Sequence, residues 1–319
     1  MQHLKYKDDL LTFYYSEMSN DYNDGWWKQH YKILYENRLS QLNPDFKPTI
    51  YNETFLWRDC YSAFINLDHR TDRLEKMLSE LQRVGIKAER IKGMLPEEYS
   101  GDMSKVQKMW DRTKGAIGCH YSQVKIMEIA LSKNKSAFVM EDDLVFGTDA
   151  QKRLDYAQSF LNENEWDVFW LGGTYHLNPP RWHDAEHSNS ELRDCKCNLN
   201  RDVECTTDPY IVRTYGCWST YAYIVNVKSL PKILRLLDEN VHESIGIDWL
   251  FIKLQPQLRC FAFAPAIAKQ YDNQSNIGDG ITQFSNFANL GAYWWADKIE
   301  DFNPMLFDWH EAKIISNHS

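Results

Sequence analysis

Hydrophobic positions are unevenly distributed along the chain. Residues 1–55 are polar and aromatic and hold no strand-like apolar run. Trp26 to Leu42 reads as a helix with Trp27, Tyr31, Leu34 and Leu42 on its inner face, ended by Pro44 and Pro48. From Tyr61 the pattern changes. Ala63 to Leu67 is a short apolar strand, and a helix capped by Thr71 or Asp72 runs through Val84 to a stop at Gly85. Lys87 to Ile91 reads as a second strand. Strand, helix and strand in close succession make a βαβ unit, which requires a parallel sheet.

The alternation continues. Gly115-Ala116-Ile117-Gly118-Cys119-His120 leads into a helix to about Lys133, with Tyr121, Val124, Met127 and Leu131 at helical spacing. Ala137-Phe138-Val139-Met140 is a short buried strand, Asp149 to Asn162 a helix, and Trp166 to Leu171 a buried strand closed by Gly172-Gly173. Residues 174–210 are polar, rich in Pro, Asn, Cys and His, and without periodicity, a long excursion of the kind that often carries function. Regular structure resumes at Gly216. Tyr221 to Val227 is strand-like, Ser229-Leu230-Pro231 opens a helix to about Glu239, a short element starts at Ile247, and Cys260 to Ala264 is a strand stopped by Pro265. The tail from Tyr271 reads as loop and then becomes aromatic (Tyr293, Trp294, Trp295, Phe307, Trp309). The expected organisation is a helical extension over residues 1–55 and an α/β domain over 56–319, interrupted by the 174–210 insertion.

Composition narrows the function classes. The 319 residues carry a net charge of −9 and no basic stripe, which argues against a nucleic-acid partner. No apolar window reaches the length of a spanning helix, and the first residues show no leader, so the chain as given reads as cytosolic with no transmembrane segment. Aromatics are abundant at 14%, which fits flat apolar platforms for sugars or nucleosides and equally a bulky core. Seven cysteines, an odd number mostly in apolar context, read as reduced thiols. Cys195, Cys197 and Cys205, with His183 or His187 nearby, leave open a zinc site, a loop disulfide or free thiols, and their spacing is not that of a zinc ribbon.

The sharpest chemical signal is Glu141-Asp142-Asp143, directly after the Ala137–Met140 strand. Open α/β sheets bind ligands at the carboxyl ends of their strands. Three adjacent carboxylates there repel one another and resist desolvation, and a hard divalent cation such as Mn²⁺ or Mg²⁺ would relieve both. The plain alternative is that these acids cap the next turn on a solvated loop.

Four landmarks then occur in order: Phe64-Ile65-Asn66-Leu67-Asp68-His69-Arg70-Thr71-Asp72-Arg73-Leu74; Gly115-Ala116-Ile117-Gly118-Cys119 with Ser122 and, after the helix, Val139 to Asp143; Tyr221-Ala222-Tyr223 followed by Asp248; and Pro265 through Gln270 to Ser275. No one of them is specific, but the ordered set, over roughly residues 61–277, resembles glycosyltransferase family 25, the family of lipooligosaccharide and procollagen galactosyltransferases. Gln123 stands where the family usually has His, and Ser275-Asn276 where it often has Ser-Asp.

The resemblance implies a GT-A-type fold, a mostly parallel central sheet flanked by helices. It also implies a UDP-sugar donor, most often UDP-galactose, a glycan or hydroxylysine-type acceptor, and inversion at the anomeric carbon. In that setting Asp143, with Asp142 or Glu141, would hold the metal against the diphosphate. Arg70 and Arg73 are candidates to clamp phosphate, although Arg73, between Asp72 and Lys76 inside the expected helix, also reads as a surface charge. Asn66 and the adjoining Leu67 would meet uracil or ribose, or Asn66 merely caps the turn. Gly115 and Gly118 would let the backbone approach the donor, or only make a turn before the helix, and Ser122 would lie along the donor. Gln270 and Ser275 would reach the diphosphate or metal from the C-terminal side, and no histidine supplies an obvious third metal ligand there. Asp248 is the candidate general base, with Glu243 and His242 behind it; its other reading is a helix N-cap. Trp170, Trp218 and Trp249 are candidates for stacking on a sugar or for the core. A glycosyltransferase fold kept for binding or adhesion, and a nucleotidyltransferase, are the competing classes; the latter lacks a Gly-rich triphosphate loop of P-loop type.

Overall fold

The computed structural model describes residues 54–99, 113–174, 203–206, 208, 210–241 and 246–271, with two-residue pieces at 273–274, 281–282, 297–298, 307–308 and 313–314. The expected N-terminal helix, the aromatic tail apart from those pieces, His183, His187, Cys195, Cys197, His242, Glu243 and Ser275 lie outside the described residues.

The chain builds strand β1 (Tyr61–Asn66), helix α1 (Thr71–Val84), β2 (Glu89–Lys92), α2 (Thr113–Ser132), β3 (Ala137–Glu141), β4 (Leu144–Phe146), α3 (Ala150–Glu163), β5 (Val168–Thr174), β6 (Val203–Cys205), β7 (Ile211–Thr214), β8 (Trp218–Val225), α4 (Leu230–Asn240), α5 (Ile247–Leu254), β9 (Cys260–Phe263) and β10 (Ala268–Gln270). Eight strands form one sheet in the order β2-β1-β3-β8-β5-β9-β7-β6. Six of them run in one direction, and β7 and β8 run against it, so β8 pairs antiparallel with both β3 and β5. This is the mostly parallel, helix-flanked α/β sheet that the resemblance implies.

Strands near the middle of the sheet are apolar on both faces because helices cover both. Ala137 and Val139 of β3 pack with Val124, Met127, Leu234, Leu237, Leu250 and Phe251 of α2, α4 and α5. Phe138 and Met140 face the other way, onto Met77, Leu81 and Val84 of α1 and Leu154, Ala157 and Leu161 of α3. Trp170 is fully buried against Tyr223 and Phe251, which assigns it to the core and not to a sugar platform.

Several boundaries differ from expectation for identifiable reasons. Arg70, not Thr71 or Asp72, occupies the N-cap position of α1, with no side-chain cap bond, whereas Gly85 does end the helix in the left-handed region (φ 66). Helix α2 already includes Gly115 and Gly118, so these glycines do not form a turn before it. A Cβ on Gly118 would stand 2.3 Å from the Met94 carbonyl oxygen; the residue is small so that the helix can press against the chain after β2. Gly172 and Gly173 lie within β5 and do not close it. A Cβ on Gly172 would meet the Ala268 carbonyl oxygen at 2.3 Å. Part of the 174–210 excursion is a strand: β6 pairs with β7 and extends the sheet edge, ahead of the expected restart at Gly216.

Candidate functional site

Glu141 ends β3, Asp142 and Asp143 make the turn to β4, and the register of the sheet supplies their neighbours. Ile65 pairs with Glu141, which places Asn66, the last residue of β1, level with Asp142. Asn66 Nδ2 donates to Asp142 Oδ2 at 2.7 Å, and Arg90 Nε holds the Asn66 side-chain oxygen at 2.9 Å. Arg73 lies one helical turn before Met77 on the buried stripe of α1 and donates to Asp142 Oδ1 at 2.8 Å, with Asp143 Oδ2 at 3.3 Å. The reading of Arg73 as a surface charge is therefore wrong. Arg70 is the arginine taken up elsewhere, paired through Nε and Nη2 with Asp72 at 2.9 Å.

The C-terminal side arrives through a small ladder. β10 pairs antiparallel with β4, Gln270 opposite Leu144, and the Tyr271 N–H donates to the Asp143 carbonyl oxygen at 3.0 Å. Gln270 Nε2 consequently stands between two carboxylates, 3.0 Å from Glu141 Oε2 and 2.9 Å from Asp143 Oδ1. The other Glu141 oxygen accepts from Gln123 Nε2 at 3.1 Å. Gln123 is fully buried in α2, also donates to Thr220 Oγ1 at 3.1 Å and accepts from the Tyr223 hydroxyl at 2.7 Å. Gln123 thus satisfies a polar knot beneath Glu141, a role set by contacts about a hundred residues away in sequence and so invisible in it.

These groups border one cavity of about 500 Å³ at the carboxyl ends of β1 and β3. Asn66, Leu67, Arg73, Gly115, Gly118, Ser122, Glu141, Asp142, Asp143, Asp248 and Gln270 all line it, and Arg70 does not. Ser122 Oγ donates to the Gly118 carbonyl oxygen and accepts from the Met94 N–H at 2.8 Å, so it fixes the cavity wall. Ser219, Thr220 and Asp248 come from the starts of β8 and α5. β8 runs antiparallel, so its first residues lie at the same edge as the ends of β1 and β3. Gly246 holds the N-cap position of α5, and Asp248 sits in the first turn, half-buried; it is not the cap. A second cleft, about 800 Å³, lies at the opposite ends of the strands. In its lining Arg259 pairs with Glu165, and Asp167 accepts from Ser229 Oγ and the Arg259 N–H.

Electrostatics in the first cavity follow from burial and crowding. Desolvation, then the charges of Asp143, Asp248 and Asp142, push the Glu141 carboxyl well above the ordinary range, and Arg73 opposes the shift. Burial also raises Asp248, against the pull of its own and Trp249's backbone N–H groups. The Cys119 thiol is raised by burial and by Glu141.

The donor set fits a hard cation. Asp142 is committed on both oxygens to Asn66 and Arg73, which leaves Glu141 and Asp143 as the two carboxylates that converge on a common point, the Gln270 amide. Among the described residues, no three His, Cys, Asp or Glu side chains converge as ligands. Two carboxylates and a carboxamide, which can present its oxygen by rotating half a turn, make an all-oxygen set suited to Mn²⁺ or Mg²⁺.

Among the described residues, no helix is long and apolar enough to cross a membrane. Comparison with curated proteins returned no match. The chain does match the family described as Glycosyltransferase family 25 (LPS biosynthesis protein) over residues 62–250, more than half its length, the stretch that builds β1 through the first half of α5 and carries the acids, Arg73, Gln123 and Asp248. The protein belongs to glycosyltransferase family 25.

Proposed function

We propose that this glycosyltransferase moves a hexose, galactose in the first instance, from a UDP-sugar to an acceptor hydroxyl with inversion. The observation that supports this most is that Asp248 lines the same cavity as the Glu141–Asp143 pair. A single inverting displacement needs a base for the acceptor proton and, apart from it, a site that stabilises the departing diphosphate. Asp248 would take the proton: it is half-buried at the start of α5 and lines the same cavity as the acids. Glu141 and Asp143, with Gln270, would hold a divalent cation, whose chemistry is to neutralise charge on the leaving diphosphate. Arg73 keeps Asp142 and Asp143 in place and offsets part of their charge. Asn66 is buried, donates to the Arg70 carbonyl oxygen and to Asp142 and accepts from Arg90, and so would order the turn after β1 beside the donor.

A panel of UDP-hexoses, with and without Mn²⁺, tests the reading by UDP release and by thermal shift. UDP-galactose should stabilise the protein and be turned over with metal, and Asp143→Ala should remove both effects while the circular dichroism spectrum is kept. Turnover unchanged in Asp143→Ala would sink the metal assignment, and preference for a nucleoside triphosphate would sink the donor assignment.

A further inference from the structure

Gln123 and Tyr223 do not line the cavity, yet they are bonded in series to one of its acids. Val139 of β3 pairs with Tyr223 of β8, and both side chains belong to the core under α2. Glu141 stands two residues beyond Val139, on the same face of the strand. Gln123 lies on α2 between Val124 and the sheet it covers, fully buried, and its one side chain reaches both Glu141 and Tyr223.

Hydrogen-bond chemistry leaves the Gln123 amide a single orientation. A carboxylate accepts only, so the amide NH2 must face Glu141 Oε1, at 3.1 Å. The other amide proton goes to Thr220 Oγ1, also at 3.1 Å. The amide oxygen then accepts from the Tyr223 hydroxyl at 2.7 Å. Turned over, the amide would set its oxygen against the carboxylate and its NH2 against the Tyr223 hydroxyl. Tyr223 therefore fixes the sense of the amide, and the amide fixes Glu141.

The two Glu141 oxygens are thereby given different partners. Oε1 is turned to the protein, held by Gln123 and approached by Cys119 Sγ at 3.9 Å. Oε2 is turned to Gln270 Nε2 at 3.0 Å, the group that also meets Asp143 Oδ1 at 2.9 Å. A glutamate side chain is costly to order, and here the ordering is done by the fold.

We propose that Gln123, oriented by Tyr223, is a positioning residue for the cation site: by holding Oε1 of Glu141 it keeps Oε2 beside Asp143 Oδ1, so that the two carboxylates act as one ligand pair. The inference rests on the reading of Glu141 and Asp143 as cation ligands. Groups behind a metal ligand orient it, and their loss costs about 10–100-fold in metal affinity. A carboxamide suits the task because it donates without carrying a charge that would compete with the cation for Glu141.

Mn²⁺ binding, followed by the electron paramagnetic resonance of the free ion with no donor present, tests this apart from turnover. The wild type should bind Mn²⁺ and Asp143→Ala should not. Q123M should bind it about 10–100-fold more weakly. Y223F, which keeps the amide and removes only its orienting hydroxyl, should weaken binding in the same direction by less. The double variant Q123M/Y223F should match Q123M within about twofold, because Tyr223 acts only through the amide. All are compared where circular dichroism shows them folded, and Y223F carries the test alone if Q123M does not fold. In transfer assays, raising Mn²⁺ should restore the kcat of Q123M to within about threefold of wild type, which a general packing defect would not allow. Mn²⁺ affinity in Q123M and Y223F within about twofold of wild type, alongside loss in Asp143→Ala, would overturn the positioning role and leave the metal reading standing. Additive losses in the double variant would overturn the order Tyr223, Gln123, Glu141. A wild type that binds no Mn²⁺ would overturn the metal reading and this inference together.

Discussion

Replacing Arg73 with Met keeps most of the side-chain stem and removes the guanidinium that serves both Asp142 and Asp143. The side chains of Arg73, Asp142 and Asp143 are 10%, 7% and 6% exposed, so water screens little of the interaction. Removing one partner of a buried pair leaves an uncompensated charge, at about 3–5 kcal/mol. With a urea m-value of about 3 kcal/mol per molar for a domain of this size, the midpoint should fall by about 1–1.7 M. Equilibrium urea unfolding followed by far-UV circular dichroism measures this directly. The double variant Arg73→Met/Asp142→Asn should regain at least about 1 kcal/mol, because neutralising Asp142 removes one of the stranded charges. A midpoint within about 0.3 M of wild type would refute the reasoning, since it would mean that the turn opens and hydrates its acids at little cost.

Four further outcomes follow from the site. Asp248→Asn should lower kcat about a hundred- to ten-thousandfold with a small change in donor KM. In the wild type a base acts only when ionised, and burial raises the Asp248 carboxyl, so kcat should fall with decreasing pH already above the ordinary carboxylate range. A profile flat down to about pH 4 would rule Asp248 out as the base. Gly118→Ala puts a methyl group 2.3 Å from the Met94 carbonyl oxygen, and calorimetry should show a loss of about 1–3 kcal/mol; an unchanged Tm would show that the chain after β2 yields freely. Gln123→Leu strands the Tyr223 hydroxyl and removes a donor from Glu141, for an expected loss of about 1–3 kcal/mol in urea unfolding, and equal stability would mean that this knot is dispensable.

Much of the sheet was legible in the sequence because its strands are short apolar runs between clear stops, as at Ala137–Met140 and at Gly85. The acids were legible for the same reason: a buried strand ends and three carboxylates begin. The reading of Arg73 as a surface charge was wrong, although a signal against it existed. Extending the Met77, Leu81 and Val84 stripe back by one turn reaches Arg73 inside the helix, while Arg70 precedes it. The contacts of Gln123 with Thr220 and Tyr223 had no local signature, since they depend on how α2 and β8 meet across the sheet. The two-carboxylate arrangement was hidden similarly: which of three consecutive acids turns toward Arg73 depends on the turn between β3 and β4. β6 and β7 were missed because a short edge strand takes its order from pairing more than from its own residues.

The position of β8 has a consequence for motion. Many transferases fold two lobes together around their substrates and gain orientation through a hinge. Here the acids follow β3, and Ser219 and Thr220 sit near the start of β8, the strand hydrogen-bonded directly to it. Moving one wall of the cavity away from the other would mean tearing the middle of the sheet. The distance between the acidic wall and the β8 wall is therefore a fixed dimension of the fold, held before either substrate arrives. Orientation is built in rather than acquired on binding.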